Sequence, residues 1–181
     1  MTFDFRAKND TMKKTLISGA ILMLMIFQYS CFTMKYSTTG ASIPVEARTV
    51  SVQFFDNRAP LVEATLSQKV TDALRDYIQA NSRLILVNGI GDLDFEGEIT
   101  GYDSRPTSIS AGDIAANSRF TITIKVKYTN TFDASKDWEM SFSRFEEYPN
   151  DQTFEQAQTV YTEDIMKLLI EDIYNKAFVN W

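Results

Sequence analysis

Alternating apolar and polar residues predict most of the strands in this chain. A stretch with this alternation is typical of a strand that has one buried and one solvated face. A shorter apolar run at 84–87, which ends at the turn Asn88-Gly89, predicts one further strand. The alternating stretches are 48–54, 93–100, 120–128 and 138–145. Their predicted inner faces are Val50, Val52 and Phe54; Leu93, Phe95 and Ile99; Phe120, Ile122, Ile124, Val126 and Tyr128; and Trp138, Met140 and Phe142.

Two other stretches have the spacing of helices. After residues 65 and 153, apolar residues recur every three or four positions, which places them on one side of a helix. Each stretch opens with Thr and has Gln three residues later, at Thr65-Gln68 and Thr153-Gln156, so a capping box is predicted at both starts. The predicted inner stripes are Leu66, Val70, Ala73, Leu74, Tyr77 and Ile78, and then Ala157, Val160, Tyr161, Ile165, Leu168, Leu169 and Ile173.

The order of these elements, β-α-β-β-β-β-α, predicts an α+β fold. We expect a single domain over 48–181, in which two helices pack on one face of a four- to five-stranded mixed or antiparallel sheet. The other sheet face should be polar and exposed. On that face, Lys125 and Lys127 could pair across strands with Glu96 or Glu98.

The first 30 residues have the pattern of an export signal. Residues 16–27 carry no charge and follow Lys13 and Lys14, which is the layout of a signal peptide. As a helix this run would span roughly 18 Å, too short for a hydrocarbon core about 30 Å thick. Met12 is a second candidate start, because the residues before it include Asp4 and Asp10.

Cys31 is the only cysteine and directly follows the predicted signal. We interpret it as a lipidation site whose acyl chains anchor the protein, with residues 31–47 as a tether. Gln28 departs from the usual lipoprotein signal, which has an aliphatic residue three places before the cysteine. The alternative is an ordinary secreted protein with an incidental cysteine.

Charge and composition narrow the function classes. The chain has 18 basic and 24 acidic residues, of which 14 and 22 would remain without residues 1–30. The resulting net charge of −8 disfavours nucleic acid as a partner. The chain has no histidine, so it lacks imidazole for a nucleophilic triad or a metal site. The carboxylates of Asp92, Asp94, Glu96 and Glu98 are expected to form a solvated strand face. We therefore predict a protein that is not an enzyme and has no metal or cofactor.

Several stretches resemble the LPS-assembly lipoprotein family (LptE), over nearly the whole chain after Cys31. They are structural stretches and carry no catalytic signature. The stretches are Ser42-Ile43-Pro44, residues 50–62 (VSVQFFDNRAPLV), Leu66-Ser67-Gln68, residues 71–76 (TDALRD), residues 91–102 (GDLDFEGEITGY), residues 119–128 (RFTITIKVKY) and residues 172–177 (DIYNKA).

The resemblance implies both a fold and a role. The family fold is two helices against a four-stranded sheet, tethered by an N-terminal lipid to the periplasmic side of the outer membrane. The family acts as a noncatalytic plug and assembly factor inside the LptD β-barrel, which inserts lipopolysaccharide, and it contacts lipopolysaccharide. A barrel lumen is polar, so a polar and rigid wedge would fit it.

No family motif transfers the lipopolysaccharide contacts to this chain. Arg105 and Arg119 flank the predicted loop 103–117, and with Lys125 and Lys127 they are candidates for a patch that binds lipid phosphates or a partner. An ordinary solvated loop flank is the alternative. Two other functions stay open: a periplasmic lipoprotein that carries a small amphiphile in an apolar cavity, and an adaptor for a different envelope complex.

Overall fold

A computed structural model describes residues 43–61, 63–107 and 117–179. These residues belong to one compact unit, Gly40–Trp181. The predicted signal peptide, Met12, Cys31 and most of the predicted tether lie outside the described residues, as do positions 108–116 of the predicted loop.

The described strands form one mixed sheet. Its central pair is β4 (Leu93–Pro106) and β5 (Asn117–Asn130), which run antiparallel, with β6 (Trp138–Pro149) antiparallel to β5 on the far side. On the near side, β1 (Thr49–Val52) runs parallel to β4 and to the short β3 (Ile85–Leu86). A two-residue strand β2, Asp56–Asn57, also pairs with β4, so the sheet order is β3-β1-β4-β5-β6 with β2 beside β4.

Two helices cover one face of this sheet: α1 (Leu66–Asn81) and α2 (Phe154–Phe178). The predicted α+β architecture is confirmed. The sheet has six strands in the described region, more than the four to five predicted, because β2 was not predicted. The strand predicted at 84–87 is β3, whereas β2 has only two residues and leaves no alternation to detect.

The core lies between the helices and the inner sheet face. As predicted, the alternate apolar residues of β4 and β5 are buried. Aromatic rings fill the space between the layers: Phe95 packs on Tyr128 and Phe178, and Tyr102 packs on Phe120, with centroids 5.0–5.8 Å apart. Such edge-on contacts add to the free energy gained by burial.

The predicted inner stripe of α2 was partly wrong. Val160 and Leu168 are 58% and 38% exposed. The buried stripe instead passes through Thr162, whose hydroxyl donates to the Gln158 carbonyl oxygen at 2.7 Å. A buried polar residue with a local hydrogen bond costs little, and a search for apolar residues alone misplaces the stripe.

Phe54 was also misplaced, because β1 ends before it. Phe54 is 52% exposed, whereas Phe55 is fully buried. The Phe55 N–H donates to the Thr71 hydroxyl of α1 at 3.1 Å, and its ring lies against Gly97 of β4. A Cβ at Gly97 would overlap that ring and approach the Lys125 carbonyl oxygen to 2.8 Å, so a glycine is required at this position.

On the β6 strand, the predicted inner face holds only in part. Phe142 is buried but Met140 is 39% exposed. The strand also continues to Pro149, beyond the predicted end at 145, and buries Tyr148. The Tyr148 hydroxyl lies 2.5 Å from the Ser104 hydroxyl of β4.

The last residues of the predicted tether are part of the folded domain. Ile43 packs against the core and Ala47 is fully buried. The Pro44 carbonyl oxygen accepts hydrogen bonds from the Ala47 N–H at 3.1 Å and from the Arg83 guanidinium at 2.7 Å. These contacts fix where the chain enters the domain, beside the end of α1.

Only one of the two predicted capping boxes forms. At α2, the Thr153 hydroxyl accepts from the Gln156 N–H at 3.3 Å, and the Gln156 side chain accepts from the Thr153 N–H at 2.9 Å. At α1, Thr65 has helical backbone angles and makes no capping bond. Its hydroxyl donates to Glu63 at 2.6 Å, and Gln68 donates to Asp72 at 2.7 Å.

This difference between the helix starts can be measured. We predict that Thr153→Ala lowers the free energy of unfolding by about 1 kcal/mol, the usual cost of losing an N-cap. The matched variant Thr65→Ala should change it by less than about 0.5 kcal/mol, since it loses only an exposed contact. Urea unfolding followed by circular dichroism measures both; an equal loss would contradict the assignment of the caps.

Candidate interaction surface

The sheet face opposite the helices is polar, as predicted, and we define it as the outer face. Because side chains alternate along a strand, each strand that places apolar residues against the helices places its other residues here. The outer face comprises Ser51 and Gln53; Asp94, Glu96, Glu98, Asp103 and Arg105; Arg119, Thr121, Thr123, Lys125 and Lys127; and Glu139, Ser141, Ser143, Phe145 and Glu147.

Ion pairs connect the strands across the middle of the outer face. Lys127 pairs with Glu96 at 2.8 Å, which confirms one predicted pairing. Lys125 lies opposite Glu98 in the register but forms its ion pair with Glu139 of β6. Glu98 pairs instead with Arg58, just after β2, at 3.2 Å. A groove of about 280 Å³ lies among these side chains.

The partner carboxylates hold the two lysines in their charged form. The hydrogen bond to Glu139, and then its charge, raises the pKa of Lys125. The hydrogen bond to Glu96, and then its charge, raises the pKa of Lys127. In return, the hydrogen bond from Lys125 lowers the pKa of Glu139. In the middle of the outer face, each lysine is therefore charged and paired with a carboxylate.

Arg105 and Arg119 lie together at the other end of the same face. They are directly opposite each other on β4 and β5, and line one groove of about 420 Å³ with Asp103 and Thr121. Arg105 pairs with Asp103 at 3.0 Å. Arg119 pairs with Glu147 at 2.7 Å, and its guanidinium lies 4.0 Å from the centre of the Phe145 ring.

The structure thus places the four candidate basic residues on one face but in two groups. Six residues separate Arg119 from Lys125 along β5, which is roughly 20 Å of strand. Each group has its own groove and its own acidic partners. Sequence alternation predicted the shared face; the partners Glu139 and Glu147 on β6 depend on a strand register that one sequence does not specify.

Two acidic residues, Asp92 just before β4 and Asp94 within it, have a structural role that the sequence did not predict. Asp94 was predicted to be solvated but is only 6% exposed. Its Oδ1 accepts from the Ser51 hydroxyl and from the Gln53 amide, the latter at 2.7 Å. Asp92 accepts from the N–H groups of Arg48 and Thr49, both at 2.9 Å, and these bonds lower its pKa. Both carboxylates therefore attach β1 to β4.

Two further grooves are polar as well. One of about 440 Å³ lies near the helix starts and includes Glu63, Lys69 and Glu163. Another, of about 290 Å³, lies at the end of α2 and includes Lys136, Asp137 and Lys176.

Within residues 43–61, 63–107 and 117–179, no group of three or more acidic residues is arranged to hold a metal ion. Neither described helix is apolar enough over a sufficient length to cross a membrane.

Comparison with solved structures places this architecture among known folds. The hypothetical protein CT253 from Chlamydia trachomatis has a TM-score of 0.50 at 7% identity, over 72% of this chain and 98% of that one. Rare lipoprotein B from Shewanella oneidensis has a TM-score of 0.46 at 10% identity, over 72% and 90%. Lipoprotein B from Nitrosomonas europaea has 0.46 at 16%, over 71% and 80%. At these identities a likeness concerns the fold alone.

The family follows from the sequence itself. The model of the LptE family, described as lipopolysaccharide-assembly, matches residues 47–177. The chain therefore belongs to the LptE family, as the resemblance had indicated. This is a family of noncatalytic lipoproteins associated with the outer membrane. No curated protein sequence matches the chain.

The pairing of Lys125 with Glu139 gives a prediction for pH. We expect Glu139 to titrate below the ordinary value of 4.5, and Lys125→Met to raise its pKa toward that value. The stabilisation from this pair is fully present above the ordinary pKa and is lost as pH falls through the lowered one.

NMR titration of the Glu139 carboxyl carbon measures the shift. Lys127→Met is the matched control, because Lys127 acts on Glu139 only through a weaker electrostatic effect. Equal pKa values for Glu139 in the wild type and in Lys125→Met would contradict the pairing.

Proposed function

We propose that this chain is the noncatalytic lipoprotein subunit of the lipopolysaccharide translocon, and that it acts as plug and assembly factor for an LptD-type outer-membrane β-barrel. Cys31 would carry the lipid after removal of residues 1–30. The protein would then lie on the periplasmic side of the outer membrane, with its folded domain in the barrel lumen.

The observation that supports this proposal most strongly is the family membership, combined with the character of the outer face. A lumen wall is polar and wet, so a plug needs a polar surface that keeps its shape. Here the side chains of that surface are held in place by ion pairs that connect β4, β5 and β6. Individually such exposed pairs contribute little to stability, but they limit the orientations of long side chains.

The core favours a plug over a carrier of amphiphiles. A carrier needs an apolar cavity of several hundred Å³ to hold its ligand. In this domain, aromatic and aliphatic side chains fill the space between helices and sheet. Each of the four grooves described above has charged residues in its lining.

The point of chain entry is compatible with a membrane anchor. Twelve peptide steps separate Cys31 from Ile43 in the sequence, which extended chain can span over roughly 40 Å at most. A lipid on Cys31 would therefore keep the Arg83 side of the domain within that distance of the membrane surface.

The barrel partnership is testable by purification from membranes. We predict that the native lipidated protein, extracted from outer membranes in mild detergent, brings down a large β-barrel subunit at stoichiometric yield, identified by mass spectrometry. Cys31→Ala should remove the acyl chains, so the variant should no longer be held in the membrane when the barrel is absent. A different envelope complex would favour the adaptor, and a bound amphiphile without any barrel would favour the carrier.

We also propose that Arg105 and Arg119 contact the phosphates of lipopolysaccharide, since guanidinium groups bind phosphate in bidentate fashion. Replacing both by Met should weaken binding of lipid A bisphosphate by about tenfold, because charge-assisted hydrogen bonds are lost. Fluorescent lipid displacement at fixed salt measures this.

Two controls make that test specific. The double variant Lys125→Met, Lys127→Met removes the same charge from the middle of the same face, and dephosphorylated lipid A removes the ligand charge. Unchanged affinity in the arginine variant would exclude this contact. A loss of affinity only in the lysine variant would assign the phosphate contact to the groove around Lys125 and Lys127 instead.

A further inference from the structure

The strand β6 forms a long open edge of the sheet. Among the described residues it pairs with β5 alone, over its full 12 residues and without a shift in register. At the opposite edge, β3 has only two residues. Natural sheets usually protect such edges by short strands, bulges, lysines or prolines. β6 has no lysine and no bulge, and Pro149 is its last residue.

The hydrogen-bonding direction of each β6 residue follows from the neighbouring strands. The Phe95 carbonyl oxygen accepts from Gln53 on the β1 side, so the flanking residues Asp94 and Glu96 direct their backbone groups to β5. In an antiparallel ladder these directions alternate from residue to residue. The same alternation continues across β5. The backbone N–H and C=O groups of Met140 and Phe142 therefore point toward β5.

The odd-numbered residues of β6 therefore present N–H and C=O groups to the open side. They are Glu139, Ser141, Ser143, Phe145 and Glu147. The same residues carry their side chains on the outer face. A strand added here would extend the outer face and the ladder at once.

Arg144 does not block this edge. It lies on the helix-facing side of β6, and its guanidinium donates two hydrogen bonds to the Asp172 carboxylate of α2, at 2.6 and 2.7 Å. An inward-pointing charge protects an edge when adding another strand would bury that charge without a partner. Here the charge is already neutralised within the domain.

We propose that β6 binds an extended segment of the barrel subunit as an additional strand, with Lys or Arg side chains beside Glu139 and Glu147. This inference rests on the proposed function, since it names how the barrel is held. Main-chain hydrogen bonds would supply the affinity and alternate side chains the specificity, as in other cases of strand addition.

The charge of the edge decides between this occupant and a second copy of the chain. β6 carries three glutamates and one arginine, and that arginine is bound to Asp172. Two copies paired antiparallel over their full length would place Glu139 opposite Glu147 twice, and like charges directly opposite are destabilising. A basic strand would instead extend the cross-strand rows Lys127–Glu139 and Arg119–Glu147 with alternating charge.

One substitution tests the edge without touching the ladder to β5. Ser141→Pro removes an N–H on the open side, where edge strands tolerate proline, and Ser141→Ala is the matched control that keeps the N–H. In the membrane pull-down we expect Ser141→Pro to lower the barrel yield at least fivefold and Ser141→Ala to leave it unchanged, with similar thermal unfolding of both. Equal yields from the two variants would refute the strand addition and leave the proposed function standing.

Hydrogen exchange on the wild-type complex provides a test that needs no variant. Amides of Ser141, Ser143 and Phe145 should exchange at least tenfold more slowly with the barrel bound than in the free protein, because each gains an acceptor or loses access to water. Unchanged exchange at these amides would overturn the proposal. A wild-type dimer, detected by light scattering and dissociated by Ser141→Pro, would also overturn it. If the barrel is absent from the wild-type pull-down, the proposed function is overturned as well.

Discussion

The antiparallel pairing of β4 with β5 is the constraint on which the remaining structure depends. The other strands build outward from these two: β1 and β2 pair with β4, β6 pairs with β5, and β3 pairs with β1. Four of the aromatic side chains in the core, Phe95, Tyr102, Phe120 and Tyr128, come from the same pair. A slip of one residue between them would turn the aromatic rings of the slipped strand to the outer face.

That pairing also produces the surface on which the proposed function depends. The alternation that buries apolar residues on one side necessarily gathers charged residues on the other, where basic residues of β5 lie between acidic residues of β4 and β6. The result is a surface on which these lysines and arginines are paired with carboxylates. Such a surface is compatible with a wet protein wall.

The sequence predicted the elements with strong periods better than the contacts between them. Both helices and the long strands follow from spacing alone, and Thr153 was correctly identified as a cap. The cap predicted at Thr65 does not form, and the Thr65 hydroxyl instead donates to Glu63. The prediction for Asp94 was wrong, since its burial depends on Ser51 in β1 and Gln53 just after it, about 40 residues away in the sequence. Ion-pair partners on β6 were missed for the same reason: they require a tertiary register.

The shift in register between Ile99 and Gly101 has an evolutionary consequence. An extra residue here lets β4 and β5 advance by different numbers of residues while the faces on either side stay correct. A change in length beyond Tyr102 and Phe120, which still pack on Phe154 of α2, would therefore leave the register of the other half of the hairpin unchanged. The far end, where Arg105 and Arg119 lie, could thus lengthen or shorten to fit a partner of different size without disturbing Phe95 and Tyr128.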